Sequence, residues 1–236
     1  MIKSAETHDE ILYRVGSDLK GMLSRIRSSN AALYKAFAEQ LDDEARKHFE
    51  TIERDCASVK SVVHNLISNE HAIEDDTMQD PAIVIINHMI RDVVEQFPKL
   101  FNSEKQIKIS FEDLEEDISI FVDEKAMRRA LELVLSNASK FSPNGSEVVV
   151  KLVKYANVAN ISVSDQGIGI PKKLRPYIFT KFSKATRRGT DGEESSGLGL
   201  FLAKCIVERH QGSIWYESEE DRGTNFYINL PLRERL

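Results

Sequence analysis

Proline, cysteine and glycine are scarce in the first third of the chain, and long hydrophobic runs are missing throughout. The first proline is Pro81, and only Gly16 and Gly21 precede it. The two cysteines, Cys56 and Cys205, stand far apart and form no CxxC pair, which argues against a disulfide framework or a zinc site. No apolar run approaches the roughly 20 residues that span a bilayer, and no signal peptide is visible. We therefore expect a cytoplasmic protein, or the cytoplasmic part of a longer receptor.

Positive charge is also limited. The 236 residues carry a formal net charge of −6, whereas nucleic-acid-binding domains usually carry a clustered positive excess. We therefore expect no nucleic-acid partner. The hydrophobic fraction of 41% is ordinary for a globular protein, and the length suffices for one large domain or two modest ones.

Apolar residues recur at spacings of three and four in the region without proline. Residues 11–37 carry one such stripe and residues 49–66 a second, with a polar break at residues 40–44. This pattern predicts a helical hairpin over residues 1–70. Two single-stripe helices cannot bury both stripes against each other, so we expect a homodimer with a four-helix bundle. The alternative is a monomeric hairpin packed on a second domain.

The rest of the chain has a different pattern. Residues 71–81 are polar and acidic and predict a linker. Residues 82–236 interleave short β-branched segments with helical ones, which predicts an α+β sandwich with mostly antiparallel strands.

Asn137, Lys140 and Phe141 end a predicted helix of this second domain. Their spacing of three and four residues places them near one another on one face. An amide oxygen can ligate Mg²⁺, an ammonium can meet a phosphate, and an aromatic ring can cover a base. Taken alone, the same residues are more typical of a solvated helix end than of a ligand site.

The segment VSDQGIGIP follows a predicted strand and contains Asp165, Gly167 and Gly169. Glycines two positions apart let the backbone turn sharply and approach a ligand closely. Asp165 offers an acceptor at the end of the strand, where it could hold an adenine amino group. An ordinary glycine turn is the alternative.

A glycine-rich segment precedes the next predicted helix. Gly197 and Gly199 open that helix, and its free amides suit a phosphate. The preceding RRGTDGEE is polar and rich in glycine, as expected of a mobile lid. Further positive charge for a phosphate would come from Lys181, Lys184, Arg187 and Arg188. The alternative is that each of these residues is simply a solvated surface charge.

Five motifs occur in one order: Asn137-Ala138, Asp165-x-Gly167-x-Gly169, Phe179-x-x-Phe182, Gly197-x-Gly199 and Gly223-Thr224-x-Phe226. This order resembles the catalytic and ATP-binding domain of sensor histidine kinases, and the hairpin resembles their dimerisation and histidine-phosphotransfer domain. The resemblance runs from about residue 10 to residue 232. It implies an ATPase sandwich of the Bergerat type that binds ATP with Mg²⁺ under a mobile lid.

The resemblance also implies roles for individual residues. Asn137 would ligate Mg²⁺, Lys140 would contact phosphate, Phe141 would flank the adenine and Asp165 would bond its amino group. The other implied residues of the nucleotide site and its lid are Gly167, Gly169, Lys184, Gly197, Leu198, Gly199 and Thr224.

Several positions depart from the family pattern, and two of these departures bear directly on catalysis. The first helix of the family carries a phosphoacceptor histidine followed by an acid, whereas here Ser17 precedes Asp18 and no histidine lies between His8 and His48. A serine hydroxyl holds its proton tightly and cannot simply replace an imidazole as nucleophile. Four residues before Asn137 the family has a second asparagine and related ATPases have a glutamate. Leu133 can neither ligate Mg²⁺ nor act as a base.

These departures predict a degenerate histidine kinase that binds ATP without phosphorylating itself. It would regulate a partner histidine kinase or the receiver domain of a response regulator. One alternative is an active kinase core that phosphorylates a histidine in trans, or its own His48 or His64. Another is a phosphatase or docking module for a response regulator, against which Gly21 at the usual hydroxyl position argues.

Overall fold

The computed structural model describes two compact units, Met1–Glu74 and Asp75–Leu236. No helix in the part of the chain described is long and apolar enough to cross a membrane. The described residues are 8–38, 40–53, 55, 56, 59, 78, 80–100, 105–181, 185, 187–191, 193 and 197–232.

Two antiparallel helices form the first unit. Helix α1 spans His8–Phe37, and α2 covers residues 43–53, with helical conformation again at residues 55, 56 and 59. Asp42 caps α2, because its Oδ1 accepts the backbone N–H of Ala45 at 2.7 Å. The described residues therefore contain two helices joined by a turn, and residues 1–7 and 60–70 of the predicted hairpin lie outside the described residues.

Polar and aromatic contacts hold the two helices together. The amide of Asn30 donates to the carbonyl of Phe49 at 3.1 Å, and the rings of Tyr34 and Phe49 meet edge to face at 5.6 Å. Leu23 and Cys56 are buried. These contacts use one side of α1 and leave a neighbouring apolar stripe exposed.

The described part of the second unit contains two sheets, three α-helices and a short 3-10 helix at Arg175–Tyr177. Its elements are β1 (Pro81–Ile85), α3 (Ile86–Leu100), β2 (Lys108–Glu112), β3 (Ser119–Asp123), α4 (Glu124–Phe141), β4 (Glu147–Tyr155), β5 (Val158–Asp165), α5 (Gly199–Arg209), β6 (Ser213–Glu219) and β7 (Gly223–Pro231). Pro81, which the sequence placed at the end of the linker, opens β1. Residues 71–77 of the predicted linker lie outside the described residues.

The main sheet has the strand order β2-β4-β5-β7-β6, and β1 pairs separately with β3. Only β2 and β4 run parallel; the other neighbours are antiparallel, as predicted. Alternate residues of β4 and β7 are buried, and α4 lies against α3, α5 and β5. One face of the sheet and the apolar sides of the helices thus build the core of an α+β sandwich.

A buried histidine joins the ends of two helices. Nε2 of His210, at the end of α5, accepts the backbone N–H of Asp123 at 3.0 Å, and Nδ1 lies 2.7 Å from the carbonyl oxygen of Ile206. Asp123 in turn caps α4 by accepting the N–H of Ala126. Burial lowers the pKa of His210, so the neutral ring holds the start of α4 against the end of α5.

Candidate functional site

A buried carboxylate lies where β5 ends and meets β7. Oδ1 of Asp165 accepts the backbone N–H groups of Gly167 at 2.8 Å and Thr224 at 3.1 Å. Among the residues described, none donates to Oδ2, so this oxygen can receive an outside donor. Burial raises the pKa of Asp165 to about 6, although the two amides and the charge of Arg187 oppose that rise. Asp165 therefore titrates within the range of ordinary assays.

The loop after β5 is packed closely against other backbone segments. A Cβ on Gly167 would lie 2.9 Å from the carbonyl carbon of Phe141, and one on Gly169 would lie 2.8 Å from that of Glu219. Gly169 also has φ +61°, which disfavours other residues. The backbone N–H of Ile168 donates to the carbonyl of Phe141 at 3.1 Å. These glycines therefore let the loop approach other backbone within the protein itself.

The last turn of α4 carries an aromatic ring that faces this loop. The ring of Phe141 is covered by Arg187, whose Cζ lies 4.7 Å from the ring centroid. Arg187 also donates a hydrogen bond to the carbonyl of Gly169. Asn137 is partly buried one turn earlier, and its side chain makes no hydrogen bond with the described residues. An amide, an aromatic ring and a carboxylate therefore lie around the junction of α4 and β5.

An apolar side chain faces the start of α5. A Cβ on Gly199 would lie 3.5 Å from Cδ2 of Leu133, which is itself buried. Leu198 is buried as the residue before α5, and Gly197 precedes it. The predicted phosphate-binding amides are thus placed at a helix start whose neighbour on α4 is a leucine.

Comparison with known proteins bears directly on this geometry. Residues 122–234 match the family described as histidine kinase-, DNA gyrase B- and HSP90-like ATPase. These residues form a histidine kinase-like ATPase domain. The predicted ATPase-type sandwich is thereby confirmed, and the match covers α4, the Asp165 loop and the start of α5.

Relatives of the whole chain are sensor kinases. The adaptive-response sensory kinase SasA of Microcystis aeruginosa is 24% identical over 98% of this chain and 61% of its own length. The sensor protein KdpD of Clostridium acetobutylicum is 27% identical over 98% of this chain and 25% of its own length. The sensor histidine kinase WalK of Bacillus subtilis is 26% identical over 98% of this chain and 38% of its own length. This chain therefore spans between a quarter and about three fifths of these relatives, and it is homologous to sensor histidine kinases.

Solved structures share the fold. Full-length ShkA in complex with AMPPNP has a TM-score of 0.73 at 23% identity, over 97% of this chain and 47% of that protein. The mycobacterial sensor histidine kinase MprB has a TM-score of 0.52 at 27% identity, over 66% of this chain and 99% of that protein. The MprB match covers about as many residues of this chain as the second unit, Asp75–Leu236, contains.

The second unit contains a buried cation that the sequence did not reveal. The side chain of Lys105 is 2% exposed, and its Nζ lies 2.6 Å from Oε1 of Glu193 and 2.6 Å from Oγ1 of Thr190. Nζ also donates to the carbonyl of Lys140 at 2.8 Å. Burial would raise the pKa of Glu193, but the hydrogen bond from Lys105, two backbone hydrogen bonds and the charge of Lys105 together lower that pKa. Lys105 therefore ties the predicted lid to the end of α4.

No sequence signal could have identified Lys105, because its partners are distant along the chain. Lys140 lies 35 residues away and Thr190 lies 85 residues away. A lone lysine before a short strand matches no motif. Only folding brings these groups together.

The predicted residues of the ATPase domain fall into two groups. The structure brings Asp165, Gly167, Gly169 and Thr224 together with Phe141, whereas Gly197, Leu198 and Gly199 lie at the start of α5 beside Leu133. Lys184 lies outside the described residues.

Of the other predicted residues, Asn137 and Lys140 lie near the end of α4, and two belong to the first unit. Ser17 is part of α1, and Asp18 follows it with an exposed side chain. Nothing further is described for the side chain of Ser17. The catalytic roles of these positions therefore rest on the sequence resemblance.

Proposed function

We propose that this chain is an ATP-binding histidine kinase-like protein that does not phosphorylate itself and that regulates a partner kinase or response regulator. The observation that carries the proposal is Ser17, which by the sequence resemblance stands at the phosphoacceptor position, ahead of the acid and the base that the family also carries there. A neutral imidazole offers a free lone pair at neutral pH, whereas a serine needs a base to remove its proton. Asp18 is the only neighbouring acid at that position, and its side chain is exposed to water.

Adenine is the ligand that the Asp165 region fits. The free Oδ2 of Asp165 can accept a hydrogen bond from the amino group, and the ring of Phe141 offers a flat apolar surface for the base. Lys140, Lys184 and the amides of Gly197 to Gly199 would then bind the phosphates. Recognition of the base thus depends on groups that the fold already holds in place.

Mg²⁺ would be held by Asn137 together with the nucleotide phosphates. Mg²⁺ keeps several waters and often takes only one or two protein ligands besides substrate phosphates, so a single amide suffices. In the described part of the chain, no group of three or more histidine, cysteine or acidic residues could hold a metal by itself. Leu133 adds no ligand and no base, so we expect neither tight metal binding without nucleotide nor rapid ATP hydrolysis.

The exposed stripe on α1 supports a homodimer. Leu19, Met22, Ile26, Leu33 and Phe37 are each between 38% and 51% exposed. At helical spacing they lie within an arc of about 60°, beside the face that packs on α2. A second copy presents the same stripe, so a two-fold arrangement would bury both stripes in a four-helix bundle. We propose that the outer surface of this bundle docks the partner protein.

Two measurements test the proposal. The purified chain is incubated with γ-labelled ATP and Mg²⁺, and a fluorescent ATP analogue is titrated in parallel. We expect saturable binding with no label on the protein. An acid-labile label would contradict the proposal, and its position would distinguish His48, which is exposed on α2, from His64, which lies outside the described residues.

Variants that restore the family's residues at positions 17 and 133 test these two departures separately. Ser17→His restores the phosphoacceptor, and Ser17→His with Leu133→Asn restores the second amide as well. If the ATPase domain is otherwise competent, the double variant should gain an acid-labile label, and adding Asp165→Asn should weaken it strongly. A double variant that binds nucleotide but gains no label would show that further catalytic groups are lost.

A further inference from the structure

Arg187 is held against the proposed adenine site by three interactions. Its guanidinium stacks on Phe141 with Cζ 4.7 Å from the ring centroid, and it donates to the carbonyl of Gly169. The charges of Asp165 and Glu220 also favour its charged form, against the effect of burial. Arg188, the next residue, is exposed and makes none of these contacts.

The guanidinium uses the same groups that a purine would use. It is planar, it presents N–H donors, and it lies over the face of an aromatic ring next to a buried carboxylate. Stacked atoms need about 3.5–4.0 Å between planes, so a purine cannot fit between two groups whose centres lie 4.7 Å apart. Adenine can occupy this face of Phe141 only after Arg187 has moved.

We propose that Arg187 occupies the adenine subsite and acts as an autoinhibitory plug that nucleotide must displace. This inference rests on the proposed function, because it assigns Asp165 and Phe141 to adenine. Lys105 keeps the following residues, Thr190 and Glu193, attached to the end of α4. The displacement is therefore a local movement of Arg187 and needs no release of the segment that follows it.

The plug lowers the apparent affinity for nucleotide. When a competing conformation fills the site, the observed Kd rises by the inverse of the fraction in the open state. A partly desolvated cation–π contact with one added hydrogen bond should hold the plug in place in roughly nine molecules of ten. Removal of the arginine side chain should therefore tighten binding roughly tenfold.

The test compares three proteins by titration calorimetry: the full chain, its Arg187→Ala variant and the matched control Arg188→Ala. The ligands are adenosine and ADP. Adenosine has no phosphate, so loss of a positive charge cannot weaken its binding through phosphate attraction. We expect Arg187→Ala to bind adenosine roughly tenfold more tightly than the wild type, and Arg188→Ala to bind it as the wild type does.

Each other outcome overturns the inference in a distinguishable way. Equal adenosine affinity in all three proteins would show that Arg187 does not compete with the base. Weaker adenosine binding by Arg187→Ala would show that the arginine supports the base. Binding of neither ligand by any of the three proteins would refute the proposed function, and the plug with it.

Discussion

Alanine at Gly169 should destabilise the ATPase domain far more than alanine at Gly145, which also has positive φ. Gly169 has φ +61°, and a Cβ there would lie 2.8 Å from the carbonyl carbon and 3.0 Å from the next Cα in the turn after β6. Because both neighbours are backbone atoms, no side-chain rotation can relieve the overlap. The Asp165 loop and the β6–β7 turn would have to separate.

Two other glycines allow the two causes to be measured separately. Gly145 has φ +80° with no atom within 4 Å of a built Cβ, so alanine there tests backbone conformation alone. Gly167 has no positive φ, but its Cβ would lie 2.8 Å from Oδ1 of Asp165 and 2.9 Å from the carbonyl carbon of Phe141, so alanine there tests contact alone.

The magnitudes follow from these geometries. Left-handed backbone costs a non-glycine residue about 1–2 kcal/mol, and the stiffer unfolded chain returns about 0.4–1 kcal/mol, so Gly145→Ala should cost about 1 kcal/mol. Overpacking costs about 1–3 kcal/mol, which is the expectation for Gly167→Ala. Gly169→Ala combines both effects and should cost about 3 kcal/mol.

Urea unfolding followed by tryptophan fluorescence measures these costs. Trp215 is the only tryptophan and lies on β6, so its signal reports the ATPase domain and not the helical hairpin. The unfolding midpoint should fall in the order Gly145→Ala, Gly167→Ala, Gly169→Ala, with unchanged slope. A Gly169→Ala protein as stable as Gly145→Ala would refute the inference that this loop is held by backbone contact.

Three further predictions concern pH and assembly. Burial lowers the pKa of His210 below its ordinary value of 6.5. Below that pH the unfolded chain binds more protons than the folded one, so the free energy of unfolding should fall as the pH drops. The variant His210→Gln should be less stable at neutral pH, but its stability in urea titrations should not show this dependence on pH. Burial raises the pKa of Asp165 to about 6, and the ionised carboxylate is the form that accepts the adenine amino group. In calorimetric titrations, adenosine affinity should therefore weaken as the pH falls below about 6. The variant Asp165→Asn should bind adenosine weakly at every pH. If the proposed dimer forms through this stripe, the wild type should be dimeric in analytical ultracentrifugation, Leu33→Glu should be monomeric, and Ser28→Glu on the opposite side of α1 should remain dimeric.

Much of the site could be predicted because its residues are local in sequence. Asn137, Lys140 and Phe141 share one turn of a helix, and Asp165 follows a strand at short spacing from Gly167. Such groups are placed by the regular geometry of a single element, so a pattern of three or four residues already determines their neighbourhood. The roles assigned to them remain predictions for the binding experiments above.

The glycines show where local reasoning reached its limit. The spacing of Gly167 and Gly169 predicted close approach to a ligand, yet the backbone that they approach belongs to α4 and to the turn after β6. The sequence shows that these two positions carry no side chain. The backbone that leaves no room for one lies more than 25 residues away, on another element. That information exists only after the sheet has formed.

The sequence by itself determined the order of the elements, the hairpin and the α+β sandwich, since hydrophobic periodicity and turn residues act over a few positions. It also predicts, through the family resemblance, that a serine stands where a histidine would accept a phosphoryl group. Only the tertiary structure decided that Lys105 is buried against Glu193, that His210 holds the start of α4, and that Arg187 lies on Phe141. Each of these contacts joins residues far apart in the chain, and burial gives them their strength because a charge or polar group removed from water must find a partner.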